Sequence, residues 1–299
     1  MKKETRAEIA AETLAIIERG GYCASGGQAV ELREAIDAAV QGTRLFDWPS
    51  VNVSVGDSAA VPVRLTVTSE STLAAVERMA AMPGGHLACL NFASAKNPGG
   101  GFLNGAQAQE ETLARSSALY ECLVNAREFY ERNRRHSSTL YLDLALFSPR
   151  VPFFRRDDGA LLSQPIFASV ITCPAPNAGA IRQNEPARTS EIEAALTRRA
   201  RLVLQVARHN GVRRLILGAW GCGVFRNDPR MVARAFAELL APHGDFHHFF
   251  DEVVFAVFDQ TADRSTLRAF QAVLAPETGQ ETDARHMGGA MNLDPRSIL

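Results

Sequence analysis

The sequence predicts an α/β protein whose mainly parallel sheet is covered by helices on both faces. Short β-branched runs alternate along the chain with segments of helical periodicity, which is typical of βαβ units. Residues 166–172 form a mostly apolar run, as expected for a central strand that is buried on both faces. Two glycine-rich loops follow predicted strands, and such sheets bind ligands at the carboxyl ends of their strands. We therefore expect a site at that edge.

The first two predicted elements are amphipathic helices at residues 4–20 and 28–42. They precede every predicted strand, so we expect residues 1–45 to form an N-terminal helical extension. The main domain then covers residues 46–275. Residues 276–299 show no periodicity and are predicted to be a disordered tail.

Composition, turn residues and caps assign the elements of the main domain. Pro83-Gly84-Gly85 ends one helix, Thr189 or Ser190 caps another, and Asp228-Pro229 opens a third. Strands are predicted at residues 51–55, 63–68, 87–92, 166–172, 213–217 and 252–258. Helices are predicted at residues 71–82, 107–132, 189–209, 228–240 and 265–274. Residues 139–147 could form a strand or a loop, and residues 149–154 could be irregular or part of a hairpin around Asp157-Asp158-Gly159.

The composition excludes several classes of protein. The net charge is -1, so neither a generic nucleic-acid binder nor a membrane-surface binder is expected. Residues 1–20 contain acids and no apolar core, so they are not expected to be a signal peptide. The sequence has no apolar run long enough to span a membrane and no CxxC pair. Its five cysteines are widely spaced, which argues against a disulfide framework or zinc ribbon and fits a reducing cytosol: Cys23, Cys89, Cys122, Cys173 and Cys222. We expect a cytoplasmic protein.

Residues 87–117 carry the sharpest motif. A strand leads into Gly99-Gly100-Gly101, and seven residues later Gln109, Glu110 and Glu111 open a helix. Consecutive glycines let the backbone approach a ligand, and a helix N-terminus favours a phosphate. Glycoside hydrolysis normally needs two carboxylates on opposite sides of the scissile bond. Successive helix residues point about 100° apart and share one side of a ligand, so Glu110 and Glu111 cannot act as such a pair. One of them should act as general acid and the other should orient sugar hydroxyls. Alternatively, both acids only interact favourably with the dipole at the N-terminus of the helix.

A second glycine loop follows the strand at residues 213–217 and suits a phosphate or diphosphate. It lacks the patterns of an NAD site and of a P-loop. Tight packing between strand and helix is the alternative. Trp220 and Phe225 could pack on a sugar or base, or belong to the core, and Cys222 is favoured as a small spacer over a nucleophile.

Other candidates are weaker. His247-His248 lacks a third ligand at a recognisable spacing, so a surface pair is favoured over a metal site. Asp143 could be a buried acid, although a loop or edge position is favoured. The arginines of the helix at residues 189–209 suggest a solvated face: Arg198, Arg199, Arg201 and Arg208.

The two loops together resemble the compact bacterial and fungal branch of the poly(ADP-ribose) glycohydrolases. The first loop matches the GGG-x(6–8)-QEE signature of that family, and CPAPNAGA and LGAWGCGVFRND add to the likeness, which spans about residues 5–275. The resemblance implies a macrodomain fold, a three-layer α/β/α sandwich around a mixed sheet with helical additions. It also implies metal-independent hydrolysis of the ribose–ribose bond at the polymer end, with release of ADP-ribose and no cofactor.

The resemblance also implies residue roles. Glu111 would be the catalytic acid and Glu110 would hold ribose hydroxyls, while Asn97 and Gly99–Gly101 would surround the terminal ribose, with Gln109 among the substrate-binding residues. Phe225 would position the terminal ribose. The loop around the diphosphate would comprise Gly218, Ala219, Trp220, Gly221, Cys222, Gly223, Val224 and Phe225.

The expected partners are poly(ADP-ribose), ADP-ribose and poly-ADP-ribosylated proteins, bound by a monomer without nucleic-acid or membrane specificity. A hydrolase of single ADP-ribose units and a non-catalytic ADP-ribose reader are the alternatives. Neither requires the Gln-Glu-Glu motif.

Overall fold

The computed structural model describes residues 1–49, 51 and 61–274, and within these ranges seven strands form one mixed sheet. In chain order they are β3 (Arg44–Asp47), β4 (Arg64–Thr68), β5 (Leu87–Phe92), β6 (Leu144–Arg155), β7 (Leu161–Cys173), β8 (Arg214–Gly218) and β9 (Glu252–Ala256). Their order across the sheet is β3-β6-β7-β5-β8-β9-β4. The pairings from β7 to β4 are parallel, whereas β6 pairs antiparallel with both β3 and β7.

Helices cover both faces of the sheet. They are α1 (Lys3–Arg19), α2 (Arg33–Gly42), α3 (Thr72–Ala80), α4 (Gln109–Ser116), α5 (Leu119–Asn125), α6 (Arg127–Arg135), α7 (Ala178–Asn184), α8 (Glu191–His209), α9 (Pro229–Leu240) and α10 (Ser265–Leu274). The strand side chains alternate between two core clusters. In β8, Leu215 and Leu217 pack in the cluster under α8, α9 and α10, whereas Ile216 packs in the cluster under α1, α2, α3, α5 and α6.

The N-terminal segment is only partly helical. α1 confirms the first predicted helix, but residues 29–31 form strand β2, which pairs with β1 (Gly21–Cys23) in a separate hairpin. The predicted helix at 28–42 therefore starts too early, since α2 begins at Arg33. The predicted strand at residues 51–55 lies outside the described residues except for Val51, and the predicted tail at residues 276–299 lies wholly outside them.

The predicted single helix at residues 107–132 is wrong, because three helices occupy this stretch. At Ser117 the backbone is extended, with φ of -152°, and bridges to Phe153 of β6. The Ala118 amide donates to the Pro152 carbonyl at 3.1 Å, and the Ser117 hydroxyl donates to the Leu113 carbonyl at 2.7 Å. Pairing with β6 thus replaces the helical hydrogen bonds, and tertiary contacts override the helix propensity of this stretch.

The predicted hairpin around residues 157–159 is confirmed, and it is longer than expected. It joins β6 to β7, and register shifts lie between Ser148 and Val151 and between Phe153 and Arg155. Arg150 takes a positive φ of 43° at the first of these irregularities. Of the two alternatives for residues 139–147, a strand forms only from Leu144 onward.

Two expectations from composition concern cysteines and membranes. All five cysteines are free thiols, so none of them forms a disulfide bond in the structure. Among the helices of the described ranges, none combines the length and apolarity needed to cross a bilayer.

The prediction that Arg199 lies on a solvated face is wrong. Its side chain is 1% exposed and its guanidinium lies 2.8 Å from Asp143 Oδ1. The same guanidinium donates to the carbonyls of Pro174, Leu140 and Tyr141. Arg199 thereby fixes the loop before β6 against the loop after β7. Arg198 binds the other oxygen of Asp143 from the surface at 2.8 Å.

We expect Asp143→Ala to lower the free energy of unfolding by about 3 kcal/mol, because it leaves the buried Arg199 charge without its counterion. Arg198→Ala removes the exposed partner of the same carboxylate and should cost less than about 1 kcal/mol. Urea denaturation of both variants measures the difference. Equal losses in the two variants would show that the ion pair of Asp143 with the buried Arg199 stabilises the protein no more than its ion pair with the exposed Arg198.

Candidate active site

The two glycine loops leave the carboxyl ends of neighbouring strands. β5 pairs with β8 in parallel, so Gly99–Gly101 after β5 and Gly218–Phe225 after β8 lie at one edge of the sheet. A side chain on Gly218 would overlap the Ala256 carbonyl and would lie 3.0 Å from the Phe92 ring, so only glycine fits at the end of β8. The structure therefore brings the two predicted loops together.

Glu110 points from the first turn of α4 into the protein and is 3% exposed. Its Oε2 accepts a hydrogen bond from the Ser94 amide at 2.7 Å, and its Oε1 lies 3.3 Å from Asn91 Nδ2. Burial raises the pKa of Glu110 to about 8, although the hydrogen bonds from Ser94 and Asn91 lower it. Burial therefore favours the protonated form of Glu110 near neutral pH.

Glu111 lies beside the triple glycine. Its Oε1 accepts a hydrogen bond from the Gly101 amide at 3.0 Å. A Cβ on Gly100 would overlap Glu111 Oε1 and would lie 3.2 Å from Glu110 Oε2. Both carboxyl groups therefore converge on Gly100, which also takes a positive φ of 60°. A residue without a side chain is needed here on both counts.

Gln109 anchors the acid pair to the sheet. Its Oε1 accepts from the Phe92 amide at 2.9 Å, and its Nε2 donates to the Leu90 carbonyl at 2.7 Å and to Thr72 Oγ1 at 3.1 Å. These bonds engage both ends of the amide inside the protein. The Gln109 side chain thus holds α4 against β5, and its role in substrate binding stays a prediction.

Asn97 closes the turn before the glycines. Its amide donates to Ser94 Oγ at 3.1 Å, its carbonyl accepts from the Gly100 amide at 3.0 Å, and its side chain is exposed. Gly99 is buried against Tyr120 and Phe102, to which a Cβ would come within 3.0 and 3.1 Å. Asn97 is thus free to face a ligand, whereas Gly99 shapes the turn.

The second loop presents main-chain amides. No acceptor in the described part of the chain receives a hydrogen bond from the amides of Gly221, Gly223, Val224 and Phe225. Asn227 fixes the turn from below, since its Nδ2 donates to the carbonyls of Pro176 at 2.9 Å and Gly221 at 3.0 Å. Free amides around a glycine turn are suited to the oxygens of a diphosphate.

Comparison with known proteins places this arrangement in a family. The family model described as microbial-type PARG, catalytic domain, matches residues 10–156. The crystal structure of poly(ADP-ribose) glycohydrolase from Thermomonospora curvata is 46% identical, with a TM-score of 0.84 over 89% of this chain and 98% of that chain. This chain belongs to the microbial-type poly(ADP-ribose) glycohydrolase family.

Other solved structures agree. The Thermomonospora curvata enzyme bound to the inhibitor ADP-HPD is 47% identical, with a TM-score of 0.84 over the same shares of the two chains. The poly(ADP-ribose) glycohydrolase from Deinococcus radiodurans in complex with ADP-ribose is 45% identical, with a TM-score of 0.74 over 80% of this chain and 96% of that chain. No curated protein sequence matches this chain significantly. The predicted macrodomain-like α/β fold with a mixed sheet is confirmed.

Trp220 and Phe225, the two aromatic residues of the second glycine loop, lie in different environments. Trp220 is fully buried, donates from Nε1 to the Cys173 carbonyl at 2.8 Å and packs on Phe236. Its side chain belongs to the core and cannot stack on a sugar, so that alternative is wrong. Phe225 is half-buried, with its ring centroid 6.0 Å from that of Tyr141, and is therefore partly accessible.

The remaining residues of this loop divide between interior and surface. Burial raises the pKa of the Cys222 thiol to about 12, which suits a spacer and not a nucleophile. Val224 is 81% exposed, and Ala219 is half-buried against the core. The loop can therefore contact a ligand through its backbone and through Phe225.

His247 and His248 pack edge to face, with ring centroids 4.6 Å apart, and His247 Nδ1 lies 2.9 Å from the Leu240 carbonyl. The described residues contain no cluster of three or more His, Cys, Asp or Glu side chains arranged for a metal ion. The pair lies on the loop between α9 and β9 and plays no part in the glycine-loop site.

Sequence reasoning missed the polar layer beneath the acids. Asn91, fully buried on β5, donates to Thr172 Oγ1 at 3.2 Å as well as to Glu110, and its Oδ1 is buried without a partner in the described structure. Burial raises the pKa of the Tyr130 hydroxyl, and the nearby Glu110 raises it further. Asn91 interrupts the apolar run of residues 87–92, and that interruption is the signal that could have revealed it.

We expect Glu110 to make stability fall as pH rises. In the unfolded chain this carboxyl ionises near its ordinary value of 4.5, whereas in the folded chain it stays protonated up to about pH 8. Between these values the unfolded state binds fewer protons, so unfolding becomes more favourable with increasing pH. Glu110→Gln should remove this dependence. Urea unfolding at pH 5 and pH 8 tests it, and identical pH dependence in both proteins would contradict the buried-acid interpretation.

Proposed function

We infer that this chain is a poly(ADP-ribose) glycohydrolase, which hydrolyses the ribose–ribose O-glycosidic bond of the polymer and releases ADP-ribose. The observation that carries this function is the convergence of Glu110 and Glu111 on Gly100, beside a loop of free amides on the neighbouring strand. The bacterial glycohydrolases that share this fold have been crystallised with ADP-ribose and with ADP-HPD, which supports ADP-ribose as the ligand.

We propose Glu111 as the general acid and base. Its proton passes to the leaving ribose oxygen as the C–O bond to the terminal ribose breaks, and the carboxylate then takes a proton from the water that attacks the same carbon. Glu111 ends protonated, so one water is consumed in each turnover. The Gly101 amide, 3.0 Å from Oε1, fixes the carboxyl in place.

Glu110 and Glu111 act as a coupled pair in this proposal. Because burial raises the pKa of Glu110 to about 8, the pair is proposed to hold a proton near neutral pH. With substrate bound, Glu111 carries that proton and donates it to the leaving oxygen. Glu110 accepts hydrogen bonds from ribose hydroxyls. The negative diphosphate and the carboxylates stabilise the positive charge that develops on the terminal ribose.

The second loop is proposed to hold the diphosphate. Its free amides, those of Gly221, Gly223, Val224 and Phe225, provide donors that require no net positive charge on the protein. Phe225 is placed to position the terminal ribose, and the exposed Asn97 to contact it. Backbone contacts explain how a chain of net charge -1 binds a polyanion.

The finer expectations from the sequence remain part of this proposal. They are cleavage from the polymer end, a cytoplasmic monomer, and poly-ADP-ribosylated proteins as partners. They also include an N-terminal extension over residues 1–45, in which the β1–β2 hairpin lies between α1 and α2, that packs on a catalytic domain over residues 46–275. Two contacts support the packing of the extension: Thr13 Oγ1 donates to the Arg115 carbonyl at 2.6 Å, and Arg6 Nε donates to the Gly105 carbonyl at 2.8 Å.

We expect Glu111→Ala to lower the rate of ADP-ribose release from poly(ADP-ribose) by about a thousandfold or more, because the variant loses the proton donor. Polymer binding should persist, since the amide loop is unchanged. Release of free ADP-ribose, measured by chromatography, and polymer binding, measured by filter retention, separate the two effects. Glu128→Ala, which removes an exposed carboxylate on α6, is the matched control and should retain full activity.

The same assay discriminates the alternatives. The wild-type protein should release little ADP-ribose from a mono-ADP-ribosylated protein. Preferential release from that substrate would favour the single-unit hydrolase, and binding without any release would favour the reader. Full activity of Glu111→Ala would refute the assignment of the acid.

A further inference from the structure

A concave site lies beside α4, the helix that carries Glu110 and Glu111. It is a cavity of about 310 Å³ between α1, α4 and the turn from β6 to β7. Four arginines line it: Arg6, Arg115, Arg155 and Arg156. Among the described residues that line it, Asp157 is the only acid. We call it the arginine cavity. It is separate from the glycine loops, none of whose residues lines it.

Arg6 and Arg115 have no carboxylate at ion-pair distance within the described structure. The Arg115 side chain is buried and donates to the Ala106 carbonyl and to Gln107 Oε1, both at 2.7 Å. Arg6 is half-buried and donates to the carbonyls of Gly105 and Met1. Burial lowers the pKa of Arg115 and the nearby Arg6 charge lowers it further, while Glu111 raises it. Two neighbouring cations with neutral partners favour a bound anion.

Arg155 and Arg156 each form an ion pair with a glutamate that is not among the residues lining the cavity. Arg155 is 3% exposed, its NH2 lies 2.9 Å from Glu12 Oε2, and its Nε is buried without a partner in the described part of the chain. Arg156 lies 2.9 Å from Glu77. These contacts orient the guanidinium groups and leave further N–H groups for a ligand. Guanidinium groups bind phosphate oxygens in pairs, which suits a pyrophosphate.

The arginine cavity lies within reach of a polymer whose scissile bond is at Glu111. Arg115 follows Glu111 by four residues on α4, which is about 6 Å along the helix axis. A polymer unit joined to the unit in the cleft is held near the cavity by a covalent bond, so its effective concentration there is high. Monomeric ADP-ribose has no such unit.

We propose that the arginine cavity binds the pyrophosphate of the ADP-ribose unit joined to the one in the catalytic cleft. This inference rests on the proposed function, because it requires poly(ADP-ribose) as the substrate. It assigns Arg6, Arg115, Arg155 and Arg156 to substrate binding, with no part in bond cleavage. The cavity then makes the enzyme bind polymer more tightly than the ADP-ribose it releases.

The test uses the full chain with Arg6→Glu and, separately, Arg156→Glu. We expect each variant to weaken binding of poly(ADP-ribose) by about tenfold, with the affinity for monomeric ADP-ribose unchanged. The dependence of polymer affinity on salt should also become shallower, by about 0.7 in log–log slope for each phosphate that the protein no longer neutralises. Arg135→Glu makes the same charge change at a 78% exposed side chain on α6 and should change neither affinity. Arg6→Lys keeps the charge and should retain most of the polymer affinity.

The outcomes separate this inference from the function on which it rests. Wild-type release of ADP-ribose from polymer, together with unchanged polymer affinity in both arginine variants, would overturn the arginine cavity alone. Equal weakening for polymer and for ADP-ribose would also overturn it, because the arginines would then serve the terminal unit or the fold. Absence of release by the wild-type protein would instead overturn the proposed function.

Discussion

The structure depends on the insertion of one carboxylic acid into the protein at the start of a helix. Glu110 enters beneath the triple-glycine loop and is held by the Ser94 amide and by Asn91, while Gln109 joins the same turn to β5. The cost of burying the acid is reduced because it can hold its proton. The position of Glu110 fixes the direction of Glu111, the next residue of α4. Glu111 accepts a hydrogen bond from the Gly101 amide.

The sheet supplies the second half of the site. β5 and β8 are adjacent and parallel, with both faces packed, so the loops at their carboxyl ends have fixed separation. Asn227 and the buried Trp220 fix the β8 loop from inside, and Arg199 fixes the loop that carries Tyr141 against Phe225. The proposed catalytic groups and diphosphate donors thus rest on rigid elements, as a reaction that needs accurate placement requires.

Much of this site could be predicted from sequence, because its chemistry is local. The order strand, triple glycine, acid pair and helix lies within one stretch, and the second loop follows the same order. What sequence reasoning missed depends on contacts between distant segments. The break at Ser117 arises from pairing with Phe153, and the burial of Arg199 arises from the loops at Tyr141 and Pro174. No period or cap within the predicted helices encodes such partners.

The central claim is that the glycine loop and the acid pair fit together only when residue 100 has no side chain. Gly100→Ala tests it most directly, with Gly211→Ala as the control. Both glycines have positive φ, 60° and 67°, but an added Cβ meets the two carboxyls at Gly100 and nothing within 4 Å at Gly211. We predict that the rate of ADP-ribose release from poly(ADP-ribose) falls by about a hundredfold in Gly100→Ala and stays near the wild-type value in Gly211→Ala. Equal rates in the two variants would contradict the claim.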